Sequence, residues 1–140
     1  MKKQLKKHEA RELALQVLFQ REFLKEADVA ESLDYFKGLS HPGETTFEYA
    51  KNLLLGVLEN KERIDEIIAS HSNNWKLHRM ALVDLNIMRI AVYELEFSNT
   101  DTPPKVSIDE AIEIAKRYST TESSSFINGV LDHIAKKKIS

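Results

Sequence analysis

The sequence predicts an all-α protein, a single-domain bundle of about seven helices. Three observations carry this: apolar residues recur at three- and four-residue spacings, no segment alternates like a half-buried strand, and the breaks between stripes are short and polar. From His8 to Lys25 the stripe is Ala10, Leu13, Ala14, Val17, Leu18 and Leu24, the face of an amphipathic helix. A shorter helix follows over 29–36, broken by Gly38, His41, Pro42 and Gly43, residues that favour turns. Thr45 and Glu48 have capping-box spacing and open a third helix with Phe47, Ala50, Leu54, Val57 and Leu58 inward. Asn60 ends it and caps a fourth, which buries Ile64, Ile67 and Ile68.

The chain loosens at Ser72, Asn73 and Asn74, and Trp75, Leu77 and Met80 lead into the longest apolar segment, 81–97. Leu82, Leu85, Ile87, Met88, Ile90, Ala91, Val92 and Leu95 leave that helix apolar on nearly every side, as a central helix surrounded by others requires. A loop ends in Pro103 and Pro104, and Ser107 with Glu110 forms a second capping box for a helix running to Tyr118. After a polar stretch over 119–124, the last helix carries Phe126, Ile127, Val130, Leu131 and Ile134 and runs into a lysine tail.

Composition narrows the function classes. A chain of 140 residues, 42% hydrophobic and 30% charged, suits one compact soluble domain. It has no cysteine, hence no thiol nucleophile, disulfide or zinc-thiolate site, and no signal-peptide-like or membrane-length apolar run. These features predict a cytoplasmic protein that does not enter membranes. The net charge of −2 hides an asymmetry: Lys2, Lys3, Lys6 and Lys7 open the chain and Lys136, Lys137 and Lys138 close it, which leaves −9 on residues 9–135. Basic ends suit a polyanion, or are simply a solvated tail, while an acidic body suits a basic protein.

No catalytic constellation is present. The glycine-rich phosphate loops are missing, as is HExxH. His8, His41, His71, His78 and His133 are spaced so that no two share a helical face at i, i+4, which predicts surface histidines and no metal site. Asp109, Glu110 and Glu113 read as dipole partners of a helix N-terminus, and Ser123, Ser124 and Ser125 as caps, with no base to activate them. Neither an enzyme nor a bound cofactor is expected.

Three segments carry a resemblance: Leu85-Asn-Ile-Met-Arg-Ile-Ala-Val-Tyr-Glu-Leu95, Lys105-Val-Ser-Ile-Asp-Glu-Ala-Ile-Glu-Ile-Ala-Lys116 and Ser125-Phe-Ile-Asn-Gly-Val-Leu-Asp132. With Ala10-Arg-Glu-Leu-Ala-Leu-Gln-Val-Leu-Phe19 at the start, they resemble the NusB family of transcription antitermination factors, the C-terminal segment most specifically. The resemblance implies two three-helix-like halves and a bacterial cytoplasmic protein that pairs with NusE, the ribosomal protein of the small subunit. It further implies that the pair binds the boxA element of nascent ribosomal RNA transcripts and, with other Nus factors, carries RNA polymerase past terminators.

Lys6, Lys7, His8 and Arg11 occupy the family's arginine-rich start, where only Arg11 keeps a guanidinium, and Lys3 before them is a further RNA contact or part of a solvated tail; lysine binds phosphate as a point charge. By resemblance Phe126 is a stacking platform for RNA, with Glu122, Ser125 and Asn128 within two turns; by spacing alone it is equally a core residue beside Val130. Arg89, a fixed charge inside an apolar helix, must meet RNA or an acid such as Glu94 or Asp109. Phe19 stands where the family has a tyrosine and lacks its hydroxyl. For NusE, the resemblance nominates Asp84 first, with Arg79 and Glu94 as further candidates. Gly129 is expected to admit a close helix.

Three rivals remain. A NusB-like domain also precedes the catalytic domain of some RNA cytosine methyltransferases, but here no cofactor loop or cysteine accompanies it. The others are a protein-only interaction module with weakened RNA binding and a homodimer whose interface overlaps the RNA surface.

Overall fold

The computed structural model describes residues 6–73, 76–98 and 102–139. They form seven α-helices, one 3₁₀ turn and one π turn, with no strand among the described residues. The predicted fold class is correct. The chain divides into two compact units, residues 1–55 and 56–140, and the division falls within the third helix.

The first unit holds α1 (Lys7–Phe23), α2 (Val29–Ser40) and most of α3 (Glu44–Glu59). α1 buries Ala10, Leu13, Ala14, Val17 and Leu18 as its spacing predicts, whereas Leu24 lies past the helix end and is 54% exposed. Asp28 caps α2, its Oδ1 accepting from the amides of Ala30 and Glu31 at 2.8 and 3.3 Å. Gly38 does not break α2. The helix runs through it and stops at His41, whose left-handed φ of 50° turns its N–H back to the Lys37 carbonyl. α3 opens at Glu44, so Thr45 sits inside the first turn, and the neighbouring Thr46 hydroxyl accepts instead from the Lys6 amide at 3.0 Å.

The second unit continues α3 from Gly56 and adds α4 (Lys61–Ser70), the 3₁₀ turn Leu77–Arg79, α5 (Leu82–Val92), α6 (Pro104–Tyr118) and α7 (Thr121–Ile139). α5 is the centre: every residue from Asp84 to Val92 is buried, and α4, α6 and α7 pack around it. Met88, Val92, Ile127 and Leu131 are fully buried, each such side chain contributing roughly 1.5–3 kcal/mol of transfer free energy. α5 then loosens into the π turn Tyr93–Phe97, where the Ser98 amide reaches the Tyr93 carbonyl. Asn60 does not cap α4 through its side chain; its Nδ2 donates back to the Gly56 carbonyl at 2.8 Å. α6 begins at Pro104, whose ring pre-sets the helical φ, so Ser107 is not the cap but a buried residue of the second turn.

Candidate nucleic-acid interface

α7 carries the site in the second unit. Its start is set by Thr120, not by the serines that follow: the Thr120 hydroxyl oxygen accepts from the Ser123 amide at 3.0 Å, and the Ser124 hydroxyl donates to the Thr121 carbonyl at 2.7 Å. With that first turn fixed, Ser125, Phe126, Gly129, Val130 and His133 fall along one stripe of the helix and form one wall of a cleft of about 590 Å³. His71, Ser72 and Asn73, just after α4, form the other wall. Phe126 is half-buried, neither core nor free of it, while Glu122, Ser125 and Asn128 are exposed. Gly129 does not admit a helix. A Cβ there would meet nothing within 4 Å, so the glycine widens the cleft.

The two histidines were not foreseen as a pair. His71 Nδ1 and His133 Nδ1 lie 3.0 Å apart with the rings edge to face, centroids 4.7 Å apart. Partial burial, then His133 and Lys137, hold the His71 imidazole below its ordinary range, with Glu96 acting the other way. The available signal was spacing: His133 follows Phe126 by two turns, which puts both on one face.

Arg89 is 6% exposed and its charge is met within the unit. Nε and Nη2 donate to Oδ1 and Oδ2 of Asp65 at 2.8 and 3.0 Å, and Nη1 donates to Asn86 Oδ1 at 3.0 Å. An acid that meets Arg89 is therefore Asp65 of α4, which the sequence reading did not name. Asp84 and Glu94 are each 6% exposed, and Asp84 Oδ1 accepts no hydrogen bond among the described residues. Arg79, in the 3₁₀ turn, is exposed.

In the first unit, α1 carries the other expected residues. Lys6 is exposed, with Nζ 3.7 Å from Glu9. Lys7 Nζ lies 5.3 Å from the centre of the Tyr49 ring, and His8 Nε2 is 2.8 Å from Glu12. Arg11 is buried at 3% exposure, so its guanidinium is no surface charge. Phe19 is 39% exposed and stacks edge to face on Phe23. Lys3 lies outside the described residues, as do Lys2, Asn74 and Trp75.

The site offers an aromatic face, hydroxyl and amide groups, and imidazoles: the means of holding a base and a phosphate, without a nucleophile and base in register. Among the described residues no three His, Asp or Glu side chains are grouped to hold a metal ion, and no helix is long and apolar enough to cross a membrane.

Comparison with known proteins agrees over nearly the whole chain. The NusB family pattern matches residues 8–136. The transcription antitermination protein NusB of Trichlorobacter lovleyi is 50% identical over 128 residues, 91% of this chain and 89% of that protein. Its counterpart in Clostridium botulinum is 42% identical over 140 residues, covering 91% of this chain and 97% of its own. Among solved structures, T. maritima NusB superposes with a TM-score of 0.86 at 39% identity, covering 98% of this chain and 94% of that one. A structure of antitermination factors NusB and NusE in complex with dsRNA matches with a TM-score of 0.82 at 28% identity over 93% and 96% of the two chains. With that coverage and a fold that superposes throughout, the chain belongs to the NusB family of transcription antitermination proteins.

Proposed function

We propose that this protein acts in the cytoplasm as an antitermination factor that binds boxA RNA of ribosomal RNA transcripts as a heterodimer with NusE. Within the RNA polymerase complex, and with other Nus factors, it promotes processive transcription. The observation that carries this is the α7 cleft, where the half-buried Phe126 ring stands beside the exposed Ser125 and Asn128. A half-buried ring is held rigidly enough to stack a base, and the polar pair supplies groups for base edges. On α1, Lys6 and Lys7 supply phosphate contacts, which add affinity without sequence information. NusE, a basic protein, docks at Asp84 in the first turn of α5, an acid of matching sign.

Fluorescence anisotropy of a boxA-like single-stranded RNA, titrated with this protein alone and with NusE at two salt concentrations, tests the reading. Binding that tightens with NusE and weakens with salt supports it. Phe126→Leu keeps the packing volume and removes the stack, with an expected loss of about 1–3 kcal/mol per base. Lys6→Ala with Lys7→Ala flattens the salt slope.

A second reading, a protein-only interaction module, is favoured by one observation: both arginines expected at the RNA, Arg11 and Arg89, are buried. NusE binding without RNA affinity, the protein monomeric in sedimentation, selects it. A dimer in sedimentation that masks the RNA face selects self-association instead.

A further inference from the structure

We propose that His71 and His133 form an anion subsite in the α7 cleft that takes one backbone phosphate of single-stranded RNA and one proton together. The inference rests on the RNA reading above and assigns a role to residues that reading leaves unused.

The chemistry follows from the contact. Two imidazole nitrogens 3.0 Å apart form a hydrogen bond only if one ring donates from Nδ1 and the other accepts there. In the neutral pair the donating ring therefore has a bare Nε2, and the accepting ring carries its proton on Nε2. Among the described residues neither Nε2 has another hydrogen-bond partner. One more proton lands on the bare Nε2 without disturbing the Nδ1 bond. The pair then carries a single positive charge and two Nε2–H donors, the combination that binds phosphate oxygens strongly.

The surroundings set the direction. The charged groups facing His71 are His133 and Lys137 of α7 and Glu96 of the π turn; Asp132 and Lys136, next along α7, pair with each other at 3.0 Å. Partial burial, His133 and Lys137 hold His71 below its ordinary range, and a phosphate reverses that balance by favouring the protonated form. A divalent metal fits less well. Two imidazole nitrogens make half of a tetrahedral set, and no third ligand is grouped with them among the described residues. Phe126 and His133 are separated by about 10 Å along the helix axis, close enough for one strand to lay a base on the ring and a phosphate on the pair.

Proton uptake on binding makes affinity rise as pH falls, by at most about tenfold per pH unit for one linked proton. The test is the affinity of a boxA-like RNA with NusE at pH 8.0 and pH 6.0, at fixed salt with EDTA, for the unaltered chain, His133→Gln and His133→Lys. The chain carries three further histidines, His8, His41 and His78, so the readout is the difference between variants. The expected result is a gain of about five- to tenfold in the unaltered chain and less than about twofold in His133→Gln. His133→Lys, with a fixed charge, is expected to bind at both pH values about as tightly as the unaltered chain does at pH 6.0. An unchanged gain in His133→Gln overturns the subsite and leaves RNA binding intact. In a separate titration without EDTA, RNA affinity that rises on adding zinc and is lost again in EDTA overturns it in favour of a metal. No RNA binding by the unaltered chain at either pH overturns both this inference and the RNA reading.

Discussion

Arg89 of α5 and Asp65 of α4 meet through two parallel hydrogen bonds, 2.8 and 3.0 Å long, between a guanidinium edge and a carboxylate. The bond from Arg89 to Asn86 holds the guanidinium from its third nitrogen, and Asn86 Nδ2 is itself anchored on the Leu82 carbonyl at 2.9 Å. A cation in the middle of the most buried helix is thereby tolerated, and α4 is fixed against α5. The two partners are unequal, because the Arg89 side chain is 7% exposed and that of Asp65 20%. Removing Asp65 takes two charge-assisted hydrogen bonds from a buried cation, whereas removing Arg89 leaves a carboxylate that water can reach. Asp65→Ala is expected to cost toward the lower end of about 3–5 kcal/mol, and Arg89→Met distinctly less. Urea unfolding of both variants checks this, and equal costs would show that the guanidinium is solvated.

Gly56, buried in α3, lies against the ring of Tyr93 in the π turn. A Cβ built at Gly56 overlaps the tyrosine ring and its hydroxyl, so any side chain must push that ring aside. Helix propensity favours alanine over glycine by about 1 kcal/mol, and here the overlap outweighs it. Gly56→Ala is expected to destabilise by about 1–3 kcal/mol through overpacking. The double variant Gly56→Ala with Tyr93→Ala is expected to recover the clash. A thermal melt in which Gly56→Ala is as stable as the unaltered chain would mean that the ring moves freely.

The helices were legible because their apolar spacing reports burial directly. Leu85, Met88 and Val92 on α5 and Ile127, Val130 and Leu131 on α7 are buried as the stripes predict. Helix starts were less legible. Thr45 and Ser107 both have the spacing of a cap, but Glu44 and Pro104 begin the helices, and capping signals do not say which of two adjacent polar or proline positions wins. Of the candidate site, the α7 residues were nominated by the sequence resemblance. The pairings that cross the fold were not: Asp65 lies 24 residues before Arg89, and His71 lies 62 before His133. Local reasoning has no access to which helix or loop a helix face will meet. Burial of Arg11 and Asp84 was hidden for the same reason, since residue type alone argues for exposure.

Asp84 occupies the first turn of α5, where a carboxylate is favoured by the helix dipole, yet one of its oxygens is buried without a donor among the described residues. A buried acceptor left without a donor costs about 1–3 kcal/mol. Asp84→Asn keeps the shape and removes the charge. It is expected to weaken NusE binding by about tenfold, the loss of one charge-assisted bond of about 1.5 kcal/mol, with an unchanged helical circular-dichroism spectrum. Isothermal titration with NusE measures it, and an unaltered affinity would move the partner face away from α5.

Gly129 gives the opposite case to Gly56. It is exposed inside α7, no atom stands within 4 Å of the Cβ it lacks, and it lines the cleft between Phe126 and His133. Glycine at such a position costs the helix about 0.5–1 kcal/mol relative to alanine, so Gly129→Ala is expected to stabilise the protein by that amount in urea. The same methyl narrows the groove where the RNA strand is proposed to run. RNA affinity is therefore expected to fall, by several-fold, as stability rises. That divergence separates a glycine kept for ligand access from one kept for packing: a packing role would lower both, and a neutral position would raise stability and leave affinity alone. Measuring the two quantities on one preparation of the variant decides between them.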